Sequence, residues 1–478
     1  MSGPVERTGN VRRRNGSKHD KTGCLTCRYR RKKCTLNTIP ICGDCKRLNL
    51  ECVREPTRQV LPTASTPTMP AVFQWENSQV DGTADKFRRR AAMKFYVTVL
   101  SQLLTTLCEL NVGAAFLPMT LESPALADAL VAWSAGHLAS HDSRYRTTAL
   151  EARSTALGSL AMSLSSQAIP SSEVNAATSL VIMTSEVCLG YHTQWYSHLI
   201  GTKNIIMSTQ CPESTGTLRR WGPDALKQST EGQWILRNFA YHDILGSVTL
   251  GKPPLIPSCY LQDIADVIDT YLGVAFGVLL IISDISCLEP LELVADYLLS
   301  NSLPKRESGR FSSIERRLQT WECPPGTNLS LESLAYTYRS SALIYLYRRA
   351  LRELRSHRNS LGVQCEHPIR DLHSKIQNEV LKVLQHTDGI PSSAIVESAL
   401  LFPLFIAGGE ATDHSHVSII RSRLELMLHK RHFRNIYQSL EVLKCVWEQR
   451  KASQGTADYS ELDWKDIIDQ QGGVLLLT

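Results

Sequence analysis

Residues 24–52 read CLTCRYRRKKCTLNTIPICGDCKRLNLEC, and they hold six of the fourteen cysteines in a 478-residue chain. The spacing is Cys24-x2-Cys27-x6-Cys34-x7-Cys42-x2-Cys45-x6-Cys52, two copies of one half-motif joined by a short loop. A C-x2-C pair lets two thiolates converge on one metal ion while the chain turns between them. Two such pairs could build a single four-cysteine site, but Cys34 and Cys52 would then be idle. Six thiolates satisfy two tetrahedral zinc ions if two of the sulfurs bridge. A metallothionein-like store would be denser in cysteine, and a redox C-x2-C pair needs no second triplet, so a two-zinc module is the expectation. About 30 residues carry too little apolar surface for a core, and metal binding is expected to supply most of the folding energy.

Charge is concentrated in the same place. Residues 1–54 carry fourteen Lys and Arg against four Asp and Glu, a formal +10, whereas the whole chain is +6 and the remainder therefore −4. Six thiolates and two zinc dications would lower the head to about +8, still a strongly cationic surface that suits a polyphosphate partner. Five of the six residues from Arg28 to Lys33 are basic.

This pattern resembles the fungal Zn(2)-C6 binuclear cluster of a large family of fungal transcription regulators. The resemblance covers all six cysteines, and Pro40 stands where the family usually has a proline in the central loop. It implies that Cys24 and Cys42 bridge the metals. It also implies that the first half-motif forms a short helix entering the major groove of double-stranded DNA. Arg28 and Lys33 match positions that usually contact phosphate, and Arg30 and Arg31 match positions that usually face base edges. Lysine is frequent where Arg31 stands. Because Arg pairs well with the O6/N7 edge of guanine, a CGG-type triplet is implied. Lys46 and Arg47 follow Cys45 as further phosphate anchors, and Leu48 and Leu50 are expected to pack between the halves.

Outward from the cluster, residues 1–20 read as a flexible basic arm with Arg12-Arg13-Arg14 and Lys18, a nuclear-import signal in composition. The N-terminus has no apolar segment of the secretory kind, and an intracellular, reducing location is expected. The cluster domain is taken as residues 21–55. Residues 56–85, with prolines at 56, 62, 67 and 70, read as an extended Pro/Thr-rich linker with no heptad pattern. Dimerisation, if it occurs, would then use the body.

From residue 86 to 478 the pattern is helical, with apolar residues recurring at Leu331, Leu334, Ala335, Tyr338, Ala342, Tyr345 and Leu346, and again at Ile436, Leu440, Leu443 and Trp447. Pro290, Pro368 and Gly408-Gly409 are read as punctuation. An all-α body of roughly a dozen or more helices follows. The apolar run Tyr271–Ile282 is too short to span a bilayer and reads as a buried core helix. WYSHLIGTKNII from Trp195, FAYHDILGSVTL from Phe239, YRSSALIYLYRRAL from Tyr338, LFPLFIAGGEAT from Leu401 and LDWKDIIDQQGGVLLL from Leu462 resemble the fungal-specific transcription factor domain of the second type, shared by sterol and arginine regulators. Trp195, His198, His242, Asp243 and Trp464 are expected as core and cap positions rather than ligands.

Enzymatic signals are weak. Gly246–Lys252 nearly spells a phosphate loop, but Pro253-Pro254 follow where a hydroxyl and a helix are needed. HKRH at 429–432 lacks the spacing and Glu of a zinc protease and reads as a solvated basic helix face. The eight cysteines outside the cluster are expected as buried apolar residues. The expectation is a nuclear, non-enzymatic DNA-binding regulator of RNA polymerase II transcription that acts with the transcription machinery or co-regulators. The alternative is a body that senses a sterol or metabolite while DNA binding is constitutive.

Overall fold

The stretch PALADALVAWSAGHLA, residues 124–139, is rich in strong helix formers, and twelve of its sixteen residues are buried. The fold is made largely of helices of this kind. A computed structural model describes residues 24, 26, 27, 34, 41–48, 52, 81–106, 112–165, 172–190, 194–210, 221–265, 267–302, 309–356, 366–452, 463–470 and 474–478. These fall into two units, one holding the cysteine module and one beginning at Asp81.

In the module, a single-turn helix α1 spans Gly43–Arg47. The body opens with α2 (Asp81–Phe95), which passes through a π-helical turn, Tyr96–Leu100, into Ser101–Leu103. Residues 81–85 are therefore helical, and the rest of the expected linker lies outside the described residues. Then come α3 (Val112–Thr120), α4 (Pro124–Ala139), α5 (Tyr145–Ser165), α6 (Ser172–Leu189), α7 (Trp195–Ser208), α8 (Pro223–Leu226) and α9 (Thr230–Leu250). The second half holds α10 (Phe276–Ser286), α11 (Pro290–Ser302), α12 (Arg310–Gln319), α13 (Leu329–Ser356) and α14 (Glu366–Asp388), followed by α15 (Leu401–Glu410), α16 (His414–Arg431), α17 (Arg434–Ala452) and α18 (Trp464–Gln470). Among the described residues there is no strand, only two isolated bridges, Gln210 with Trp221 and Asp269 with Gly273.

Local chemistry sets the helix ends. Ser123 caps α4 by accepting the Leu126 N–H at 3.2 Å, with Pro124 at the first helical position. Ser229 caps α9 through the Gly232 N–H at 2.9 Å, and Gly251 ends it in the left-handed conformation, φ 65°. The Asp243 carboxylate then accepts the N–H groups of Leu255 at 2.8 Å and Ile256 at 3.1 Å, turning the chain back across its own helix. Gly246–Lys252 is thus the last turns and stop of α9, where the N–H groups are engaged within the helix. Gly408 and Gly409 lie inside α15 rather than breaking it. A Cβ on Gly409 would run into the Trp464 indole, so glycine is there for close approach. Pro290 and Pro368 stand in the first turns of α11 and α14, starting helices rather than interrupting them.

The body has one continuous apolar core, running from Ala91 on α2 to Leu477. Within it α4 packs on α2, α5 and α6, and α13 packs on α10, α11, α14 and α15. The segment Val474–Thr478 is threaded into this core. Leu475, Leu476 and Leu477 are buried, and the backbone is held by Trp195 Nε1 to the Val474 carbonyl at 2.8 Å and Thr249 Oγ1 to the Leu475 carbonyl at 2.6 Å. His242 Nδ1 lies 2.9 Å from Thr478 Oγ1. Among the described residues no helix is long and apolar enough to cross a membrane.

Candidate metal centre and nucleic-acid interface

Each C-x2-C pair opens a turn in which the first cysteine sulfur accepts the N–H of the second, Cys27 N–H to Cys24 Sγ at 3.3 Å and Cys45 N–H to Cys42 Sγ at 3.4 Å. In each half the third cysteine closes back on the first, Cys34 Sγ accepting the Cys24 N–H at 3.4 Å and Cys52 Sγ the Cys42 N–H at 3.2 Å. The repeat in the sequence is therefore a repeat in hydrogen bonding. It pulls four sulfurs together: Cys24 to Cys42 3.7 Å, Cys24 to Cys45 3.8 Å, Cys27 to Cys42 3.7 Å and Cys27 to Cys45 3.9 Å.

Those separations are the fit test for zinc. Four sulfurs about 2.3 Å from one zinc ion form a tetrahedron with edges of about 3.8 Å. All four cysteines are buried, and Cys34 and Cys52 pack partly buried against them. Donated N–H groups also polarise the set. The Cys45 N–H brings the Cys42 thiol down to about 6. Burial works against a charged Cys24, but the Cys27 N–H and neighbouring thiols outweigh it and lower that thiol too. Burial pushes Cys45 up to about 12 and Cys27 also upward.

Of the basic residues picked out as DNA contacts, Lys46 and Arg47 lie exposed in the last turn of α1, and Arg47 pairs loosely with Asp44 at 3.4 Å. Arg28, Arg30, Arg31 and Lys33 lie outside the described residues, as does Leu50. Leu48 is 40% exposed, so it does not pack between the halves as expected; among the described residues of the module, those that are buried are cysteines.

Comparison with known proteins follows this geometry. Residues 22–60 match the fungal Zn(2)-Cys(6) binuclear cluster domain, and residues 92–478 match the fungal specific transcription factor domain. The chain belongs to the fungal zinc-cluster transcription factor family. It is 23% identical over 301 residues to the transcriptional activator protein UGA3 of Saccharomyces cerevisiae, a match covering 49% of this chain and 55% of that protein. The chain thus spans about half the length of that curated relative. No solved structure matches. As a zinc-cluster factor it carries a zinc-binding cysteine module, and the family to which it belongs consists of DNA-binding transcriptional regulators. The family works with the transcription machinery, is generally non-enzymatic and is typically nuclear.

Elsewhere in this zinc-cluster factor, the landmark residues serve packing. Trp195, Trp464, His242 and Asp243 are buried, and His198 reaches the buried Glu186 carboxylate at 3.2 Å. The HKRH run departs from a solvated face. Arg431 is buried and Lys430 nearly so, because both bind the carboxylate of the fully buried Glu397, at 3.0 and 3.2 Å, together with Arg423 at 3.1 Å. Sequence reading missed this cluster because Glu397 is separated from its partners along the chain. Of the outlying cysteines, Cys188 is buried as expected, Cys287, Cys323 and Cys445 are partly buried, and Cys259 is exposed in the first turn of the 3-10 segment Ser258–Ile264. Cys108, Cys211 and Cys365 lie outside the described residues.

Proposed function

We propose that this factor regulates RNA polymerase II transcription by reading CGG-type triplets in the major groove, with Arg30 and Arg31 on base edges and Arg28, Lys33, Lys46 and Arg47 on phosphates. Cys24 and Cys42 bridge the two zinc ions, and Cys27, Cys34, Cys45 and Cys52 are terminal ligands. The observation that carries the reading is the doubled hydrogen-bonded turn. It gathers the sulfurs at tetrahedral separations and leaves Lys46 and Arg47 exposed beside them. Phosphate contacts position and base contacts specify. Arg30→Ala therefore relaxes triplet preference on a DNA-binding array, whereas Lys46→Ala weakens all sequences alike and lowers the salt dependence. Equal loss across sequences for both variants would overturn the assignment. The division of labour is a basic arm over 1–20, the DNA-binding module over 21–55, a linker over 56–85 and a regulatory body over 86–478, with any homodimer formed through the body.

A second reading, in which the body is a small-molecule receptor, is favoured by one cavity. About 380 Å³ opens beside Trp447 between α16 and α17, lined by Val417, Arg421, Glu448, Arg450 and Lys451. That volume is within the usual range for ligand sites. Arg421 lies over the Trp447 ring at 5.1 Å, so the lining suits a small anion with a flat apolar portion. Thermal-shift screening of the full chain against anionic metabolites and sterols tests it. Stabilisation that Trp447→Ala abolishes supports the receptor, and no shift with any compound counts against it.

A further inference from the structure

Two helices from opposite ends of the body finish at one place on its surface, and both finish in histidine. His137 is in the last turn of α4 and His141 follows its end. His429 is in the last turn of α16 and His432 follows that end. The His141 and His432 rings are 4.7 Å apart between centres and nearly perpendicular, at 81°. His429 lies 6.1 Å from His432, and His137 lies 6.4 Å from His141. His141, His429 and His432 are exposed. Among the described residues, none of their ring nitrogens has a hydrogen-bond partner.

We propose that His141 and His432, with His429 as third ligand, form a divalent transition-metal site of the zinc class on the regulatory body, separate from the cysteine module. A zinc-class ion about 2.1 Å from an imidazole nitrogen lies about 3.2 Å from that ring's centre, so two rings sharing it at about 90–110° stand about 4.5–5.2 Å apart. The 4.7 Å pair meets that condition as it stands. Among the described residues, only the cysteine group already brings three or more ligand atoms together. His141 and His432 therefore stand at a ring separation that a shared ion allows, and the site forms when their nitrogens and that of His429 turn toward it by side-chain rotation, with water in the open positions.

The surroundings suit a cation held by neutral nitrogen. Two helix C-termini converge here, and their last carbonyls favour positive charge. Asp142 is engaged by Arg144, Lys430 and Arg431 share the buried Glu397 carboxylate with Arg423, and Arg434 is stacked on Tyr437 at 4.3 Å. Imidazole selects zinc, nickel and copper over magnesium or calcium, and the exposed Glu425, one turn before His429 on α16, is the carboxylate nearest to it along the helix. His137 is not a ligand. It is buried between Phe95 and Phe433 and forms the wall behind the pair. His432 takes the left-handed conformation, φ 54°, where glycine is usual, and this carries its ring off the helix to meet His141.

The test counts zinc on the full chain by equilibrium dialysis with elemental analysis. At low free zinc the chain holds the two ions of its cluster, and rising free zinc adds a third equivalent. His141→Gln and His432→Gly each abolish the third equivalent and leave the first two. The glycine variant relieves the left-handed backbone, so it cannot fail through misfolding at that position. His414→Gln, an exposed histidine elsewhere on α16, keeps the third equivalent. Zinc also protects His141, His429 and His432 from acylation by diethyl pyrocarbonate, read by mass spectrometry. A chain that stops at two, or a third ion that survives both His141→Gln and His432→Gly, overturns the proposal. Neither outcome depends on DNA binding.

Discussion

The sulfur separations make a numerical prediction about the metal cluster. The Cys24–Cys42, Cys24–Cys45 and Cys27–Cys42 edges of 3.7–3.8 Å between sulfurs correspond to a zinc–sulfur distance of about 2.3 Å in a regular tetrahedron. If Cys24 and Cys42 are the shared edge, at 3.7 Å, two zinc ions about 2.3 Å from both sulfurs sit at most about 2.7 Å apart, with the two ions and two sulfurs in one plane. Repulsion between the dications favours that planar arrangement, and a longer vector requires the Cys24–Cys42 edge to shorten as metal binds. X-ray absorption at the zinc edge, with elemental analysis of the full chain, should therefore give two zinc per chain, a shell of four sulfurs near 2.3 Å and a short metal–metal vector. Cys24→Ser or Cys42→Ser removes a ligand from both ions and should empty the module. Cys34→Ser or Cys52→Ser removes a ligand from one ion and should lower the zinc count toward one. Because structural zinc contributes on the order of 10–16 kcal/mol to a small module, the emptied variants should also lose DNA binding. One zinc per chain, no metal–metal vector and no effect of Cys34→Ser would refute the bridged arrangement in favour of a single site on Cys24, Cys27, Cys42 and Cys45.

Three further outcomes follow from the body. Glu397→Gln leaves Arg431 buried without its carboxylate and should cost about 3–5 kcal/mol in denaturant melts; a change under about 1 kcal/mol would mean that solvent already screens the cluster. Leu476→Ala, in the threaded segment, should cost about 2–5 kcal/mol, read the same way. Burial pushes the His242 ring down to about 3, against about 6.5 in the unfolded chain. The folded protein therefore refuses a proton that the unfolded chain accepts, and stability present above pH 6.5 is lost as pH falls toward 3, by up to about 1.4 kcal/mol per unit. His137 and His373, both held near 4 by burial, act in the same direction. His242→Gln should reduce proton uptake on unfolding at pH 5 by about one, and an unchanged slope would contradict the assignment.

The cysteine module was legible because its information is local. Two triplets with fixed spacing specify a repeated turn, and the turn specifies the sulfur geometry. The helical class of the body was legible from stretches such as Leu331–Leu346, whose apolar face recurs at helical spacing. Helix α4 shows where that signal fades. With twelve of sixteen residues buried, including Trp133, Ser134 and His137, it has no polar face to set a period. Gly408-Gly409 misled for a related reason. Glycine signals a turn when only backbone freedom is considered, but here it marks the approach of Trp464 from a distant helix. HKRH read as solvated because its buried partner, Glu397, arrives from a separate segment.

What the sequence hid is therefore of one kind. Arg348 on α13 binds Glu410 at 2.7 Å, pairs with Asp463, and lies 3.8 Å over the Trp464 ring. Trp447 Nε1 on α17 donates to the Gly408 carbonyl at 2.9 Å, and Asn435 Nδ2 donates to the Thr478 oxygen at 2.6 Å. Each tie joins elements remote in the chain, and each is a buried polar group whose cost is offset only when its partner is in place. Loosening one should then loosen its neighbours, so the second half of the body is built to respond as a unit. The cavity beside Trp447 borders that network through Arg450, which donates to the Ala411 carbonyl at 3.2 Å. The end of α16, where Lys430 and Arg431 hold Glu397, carries the paired histidines. A ligand at either proposed place would act on groups that already hold distant helices together, which would give the body a physical route from binding to a change in packing.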